Sequence, residues 1–159
     1  MSKDIREMID KVKSFNQFVN EDINSNIWYR GYTDKTKYNE YIWITSDENH
    51  AKQYSEINKY TYGGNPIVDM FQFNENNYNL KDLYIYDMDD MINENDAEDF
   101  LLDVNIEYDY EDLFDIMEDE IPLSRLVNKL LPQLTLNSNG FKIMENGIKT
   151  IYLKSGLLK

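Results

Sequence analysis

The stretch Asn26-Ile27-Trp28-Tyr29-Arg30-Gly31-Tyr32 is followed by Tyr41-Ile42-Trp43-Ile44-Thr45-Ser46 and then by Ala51 and Tyr54; it carries the most specific signal in the chain. The first run is aromatic and β-favouring and stops at Gly31, as a strand entering a turn does. Arg30 then falls at the strand end, where a planar guanidinium can grip a phosphate or ribose oxygen in bidentate fashion. Gly31 permits a positive φ and a close backbone approach to a ligand. Residues 33–40 are polar and predict a loop. Tyr41 to Ile44 predicts a second strand, and Ser46-Asp47 a helix N-cap, with Asp47 and Glu48 placing negative charge at the positive end of the helix dipole. That helix runs through Ala51 to about Ser55 or Lys59 and brings Tyr54 back near the second strand. Together these residues outline a cleft for a planar ring, a sugar and a phosphate. Taken singly, strand aromatics more commonly build a core and exposed arginines are more commonly just solvated.

The C-terminal end carries a second local signal. Asn146-Gly147 is the two-residue sequence suited to a type I′ hairpin turn. Centred there, the register pairs Glu145 with Ile148, Ile143 with Thr150 and Phe141 with Tyr152, all on one face. Glu145 then stands at the hairpin tip, either reachable from a cleft or simply a solvated turn residue.

Further out, Ile5, Met8, Ile9, Val12, Phe15, Phe18 and Val19 recur at helical spacing and predict an amphipathic helix over residues 3–20, starting near Ser2 or Asp4. Such a helix packs on the sheet or binds a partner. Gly63-Gly64 and Pro66 predict a loop, a plain turn or a substrate-recognition turn, before a strand over 67–73.

Residues 82–124 hold 17 Asp or Glu and no Lys or Arg, out of 30 acidic and 16 basic residues in the whole chain. One segment therefore carries the entire net charge of −14. It predicts helices at Ala97–Val104 and Tyr110–Met117, the latter with Leu113, Phe114 and Met117 on one face, then another at Leu123–Leu131 ended by Pro132. Asp87-Met88-Asp89-Asp90 opens like a calcium loop but puts Ile92 where glycine is required, so the motif fails. The segment is a solvated face, or an electrostatic lure for a basic protein; its charge repels nucleic acid.

At 159 residues the chain predicts a single domain, residues 1–159, with an acidic helical insertion over about 82–132. It has no Cys, which excludes disulfides and thiolate chemistry, and His50 is its sole histidine, which excludes a multi-histidine metal site. No metal is expected. No signal-peptide core or apolar span of about 18–20 residues occurs, so a cytoplasmic protein without membrane contact is expected. Its Asn-, Lys-, Ile-, Tyr- and Asp-rich composition suggests an AT-rich genome such as that of a phage or low-GC bacterium.

The ordered set around Arg30 resembles the ADP-ribosyltransferase fold over residues 26–80 and 138–157. Arg30-Gly31 matches the first motif of the arginine branch of that family. Ile44-Thr45-Ser46 stands at its Ser-Thr-Ser strand, with Ile44 replacing the first serine. Trp43 and Tyr54 reproduce the tyrosine spacing of the other branch. Ile67–Phe73 and Leu80 are similar to the strand and loop that follow, and Gly140–Leu153 to the closing hairpin. No Glu-x-Glu pair stands near the end, a departure from the arginine-directed branch.

The resemblance implies an α+β fold with a split, two-sheet NAD-binding core. It implies NAD as co-substrate, bound by Arg30, Gly31, Tyr32, Trp43, Thr45, Ser46 and Tyr54, with nicotinamide against Trp43 and Tyr54. Thr45 or Ser46 would bond the ribose and support Arg30, and Arg30 and Glu145 would be the catalytic pair. Glu145 would hold a ribose hydroxyl and stabilise positive charge at the anomeric carbon. The activity implied is mono-ADP-ribosyl transfer to a host or partner protein, as in a phage or bacterial effector; NAD hydrolysis would use the same site. The acidic segment raises an alternative, a non-catalytic binding protein of the phage counter-defence type that mimics nucleic acid and blocks a basic effector.

Overall fold

A computed structural model describes residues 26–117 and 119–158, and the fold is mixed α+β. The helix expected over residues 3–20 lies outside the described residues, as does the side chain of Phe114. The main sheet has six strands: β1 (Ile27–Thr33), β2 (Tyr41–Thr45), β3 (Pro66–Gln72), β4 (Leu80–Asp87), β7 (Gly140–Glu145) and β8 (Ile148–Lys154). Their order across the sheet is β3-β1-β2-β8-β7-β4, and β5 (Met91–Ile92) and β6 (Ile121–Pro122) form a separate two-stranded ribbon.

The sheet is antiparallel except where β4 lies parallel to β7. The Asn146-Gly147 turn has φ of 51° and 73°, the doubly positive geometry the pair predicts, and the hairpin takes the predicted register throughout. The expected division into two cleft-forming sheets is not what forms: the strands that flank the cleft belong to one six-stranded sheet. Hydrogen bonding is continuous across six strands, but β1 and β2 share the single pair Tyr29–Thr45, whereas β1 runs against β3 through seven pairs.

Helix α1 (Glu48–Tyr62) covers one face at β1. Its cap is Asp47 rather than Ser46: the Asp47 carboxylate accepts the His50 N–H at 2.9 Å, and Ser46 is spent pairing its own N–H with the Lys149 carbonyl. Gly63 (φ 79°) closes α1, its N–H donating to the Lys59 carbonyl at 2.8 Å. The helix outlasts the expected end because no breaker intervenes before that glycine.

Beside α1 sit α2 (Glu94–Asp103), α3 (Tyr110–Ile116), α4 (Leu123–Lys129) and α5 (Leu131–Leu134). Asn93 and Asp96 form a reciprocal capping box at the start of α2. Pro132 falls in the first turn of α5 rather than ending α4, where its missing N–H costs nothing.

The acidic segment is not an insertion set apart from the core. Its first residues belong to β4, an edge strand of the main sheet, and eleven of the seventeen buried residues in the larger core lie within 82–124. Leu83, Phe100, Leu113 and Leu123 meet Leu126, Phe141 and Ile143 there. The other face buries Trp28, Ile42, Ile44, Ile151 and Leu153. Because β3 and β4 are at opposite edges, residues 73–79 cross that second face as a strap. Phe73 packs edge-on against Trp28 and stacks on Tyr78, while Glu75 reaches Lys142 of β7 and the Tyr84 hydroxyl of β4.

Candidate functional site

Past the Tyr29–Thr45 pair, β1 and β2 part, and a cleft of about 270 Å³ opens between them. Arg30, Gly31 and Tyr32 form its β1 wall, and Tyr41 to Trp43 its β2 wall. Tyr54, Ile57 and Asn58 of α1 and Thr36 and Asn39 of the 33–40 loop complete it. The structure thus gathers Arg30, Gly31, Tyr32, Trp43 and Tyr54 at one opening.

Each arrives there for a local reason. Trp43 stays half-buried because its ring packs on Tyr152 at 4.9 Å and edge-on against Phe141 at 5.7 Å, leaving the remainder to the cleft. Arg30 Nη2 donates to the Thr36 and Lys37 carbonyls at 3.1 and 3.0 Å, and its guanidinium lies 4.2 Å from the Tyr32 ring centroid. Burial lowers its pKa, with Tyr32 and Asp69 acting in the opposite sense. Among the described residues only Nη2 is engaged by hydrogen bonds, so the other edge of the fork remains for a ligand. Tyr32 donates to Asp69 at 2.6 Å; burial and then that bond push its phenol up to about 12.

Gly31 is required for a different reason from the one its sequence context suggests. Its φ is not positive, and a β-carbon there would stand 1.7 Å from the Ala51 carbonyl oxygen. The glycine lets α1 lie directly on β1, which is how Tyr54 reaches the cleft.

Glu145 sits behind the Tyr54 wall. The Tyr54 hydroxyl donates to its Oε2 at 2.5 Å, and burial, then the charge of Glu145, push that phenol far above its ordinary value. His50, one turn before Tyr54 on α1, places Nε2 3.2 Å from Oε1, off the line of a hydrogen bond, while its ring meets Tyr54 edge-on. The hairpin tip itself is clamped. Asp87 accepts the N–H groups of Asn146 and Gly147 at 3.2 and 2.8 Å, and Asp89 accepts that of Asn146 at 2.7 Å.

Thr45 and Ser46 are not part of this opening. Thr45 is fully buried and its hydroxyl accepts the Asp47 N–H at 3.3 Å, so it shapes the turn into α1. Ser46 is exposed on the turn beyond it. Neither contacts Arg30, so the support expected from them is supplied instead by the 33–40 loop carbonyls.

Three residues at the site lack a direct sequence signal. His50 precedes Tyr54 by four positions, which puts the two on one helix face; that spacing was the available clue. Asp87 and Asp89 look like a failed calcium loop in sequence, yet they bind backbone N–H groups of a hairpin 57 or more residues later. Among the described residues no cluster of His, Cys, Asp and Glu is arranged to hold a metal, and no helix is long and apolar enough to cross a membrane.

Comparison with protein-family models, with curated proteins and with solved structures finds no match to this chain. The resemblance to ADP-ribosyltransferases therefore rests on the sequence motifs alone.

Proposed function

We propose that the seam between β1 and β2 binds NAD and that the protein is a mono-ADP-ribosyltransferase acting on a protein acceptor. One observation carries the reading. A guanidinium with an open edge, two aromatic rings and a carboxylate-linked tyrosine meet around one cleft, although they come from two strands, a helix and a hairpin over 100 residues apart in sequence.

The donor set suits the parts of that dinucleotide. Arg30 offers a fixed positive fork to a phosphate oxygen, and Trp43 and Tyr54 offer apolar ring surface to a planar base. The cleft volume, near the lower bound of about 300 Å³ for small-molecule sites, fits the nicotinamide riboside end, with the remainder lying over the rim. NAD supplies a ribosyl carbon whose bond to nicotinamide breaks readily once positive charge at that carbon is stabilised. Glu145 is the negative group here that can stabilise that positive charge, through Tyr54 and in a partly desolvated setting where charge interactions are strong. The Tyr54 hydroxyl fixes the direction of the carboxylate through its bond to Oε2, and the His50 ring lies against Oε1. Thr45 and Ser46 are left out of the roles.

The test is nicotinamide release from NAD by the full chain, with and without a cell lysate as acceptor source. Release that needs lysate supports transfer, and release without it points to hydrolysis at the same site. Arg30→Ala and Glu145→Gln should each lower the rate by about 10²-fold or more. Rates unchanged in both variants, in folded protein, would show the roles are wrong. Absence of release from the wild type would favour the non-catalytic acidic binding protein, for which the exposed acidic surface of residues 82–124 is the supporting feature.

A further inference from the structure

A groove distinct from the NAD cleft runs between α2 and the β5–β6 ribbon, with a volume of about 660 Å³. Its floor is apolar, built on Phe100, Ile92 and Leu123, which are themselves buried. Apolar side chains also stand in its otherwise polar walls: Met91 is 55% and Leu102 77% exposed, and Tyr86 lies alongside. Exposed leucine and methionine flanking one apolar floor mark a contact surface rather than scattered surface hydrophobes. Leu102 also borders a second groove, on the other side of α2, lined by Leu101, Ile106 and Leu113.

The surroundings decide what fits. Asp90, Asp96, Asp99 and Asp103 edge the groove, and no Lys or Arg occurs anywhere in 82–124. A second copy would bring the same unbalanced acids face to face. Nucleic acid and anionic lipid are repelled for the same reason. The complementary occupant has apolar residues for the floor and cationic heads for the edge, and lysine and arginine stems add apolar surface of their own. We infer that this groove docks a basic amphipathic segment of a protein partner, with leucine-like side chains against Phe100 and Leu102 and Lys or Arg against the aspartates. The inference goes beyond the transfer reading and does not rest on it.

The probe is a fluorescent peptide of about 14 residues with leucines at helical spacing and lysines elsewhere, beside a control in which serine replaces every leucine. Anisotropy is measured against the full chain without NAD. The leucine–lysine peptide should bind at least about tenfold more tightly than the serine control, with affinity falling as salt rises. Leu102→Ser should weaken it about tenfold, and the pair Asp90→Asn, Asp99→Asn should flatten the salt dependence while leaving the leucine preference. All three side chains are exposed, and unchanged circular dichroism confirms folding. Equal binding of the serine control would reduce the site to bulk charge. Binding indifferent to Leu102→Ser and to the aspartate pair would place it elsewhere, and no binding would overturn it outright. Because NAD is absent, loss of either result leaves the other standing.

Discussion

The two halves of the six-stranded sheet are built to different standards. Around β4, β7 and β8, α2 to α5 enclose Phe100, Leu126, Leu130, Phe141 and Ile143 in one continuous apolar core. Around β1 and β3, the single helix α1 meets the sheet through Gly31, Ala51 and Ser55, and the buried groups there include Thr33, Thr36, Thr45 and His50. The seam between the halves is one residue pair wide, and the candidate site opens there. The contrast teaches that the acidic half, for all its surface charge, supplies most of the apolar core, while the polar half leaves side chains to line a cleft.

The largest test of that contrast is core truncation. Leu126→Ala, at a position with no solvent exposure, should cost about 2–5 kcal/mol in urea unfolding. Ile57→Ala on the cleft wall, 60% exposed, should stay within about 0.5 kcal/mol. Equal losses would break the comparison. Next comes Gly31→Ala, whose methyl group meets the Ala51 carbonyl and must push α1 off β1; a loss of about 1–3 kcal/mol is expected. The same variant should abolish nicotinamide release, because Tyr54 moves with α1. Stability lost with release intact would separate the helix contact from the site.

A smaller effect tests the clamp on the hairpin tip within the acidic half. Asp87→Asn with Asp89→Asn should cost about 1 kcal/mol, since exposed backbone N–H groups can turn to water, yet should lower release more than stability by loosening Glu145. The smallest effect is the titration of these two carboxylates. Burial works to raise Asp87, but the N–H groups of Asp89, Gly147 and Asn146 outweigh it and hold the pKa below the ordinary value. Asp89 is raised, by burial first and then by Glu145 and Asp87. Asp87 therefore stabilises the fold above its unfolded pKa, and that contribution is lost as pH falls through its lower folded value. Asp89 has the reverse sign, its cost being relieved as pH falls through its raised value. Carbon-detected carboxyl titration should show Asp87 titrating below Asp89, and coincident curves would remove the clamp.

The strands at Ile27, Tyr41, Ile67 and Gly140–Leu153 were legible because alternation, aromatic content and Asn-Gly are local signals. Helices α1 to α4 were legible within a few residues for the same reason. Strand β4 was not. Leu80-Lys-Asp-Leu-Tyr-Ile-Tyr-Asp is β-favouring, but it runs into the acidic stretch, and charge density obscured the alternation around Leu83. Its neighbour β7 is 60 residues away, so no local pattern announces the pairing. At the site, Arg30, Tyr32, Trp43 and Tyr54 could be placed together from strand and helix phasing. The removal of Thr45 and Ser46 could not, because it follows from the tightness of the turn into α1, where Asp47 takes the cap and Thr45 turns inward.

The position of β8 has a consequence for biosynthesis. Among the described residues it is the last strand in chain order, yet it lies mid-sheet between β2 and β7. On the ribosome, β2 lacks its β8 neighbour and the β4–β7 pair stays unjoined to the rest of the sheet until Lys154 has left the exit tunnel. The sheet is therefore completed only after residue 154 has emerged, and until then the unfinished chain exposes apolar surface that the acidic stretch, already emerged, keeps apart by mutual repulsion.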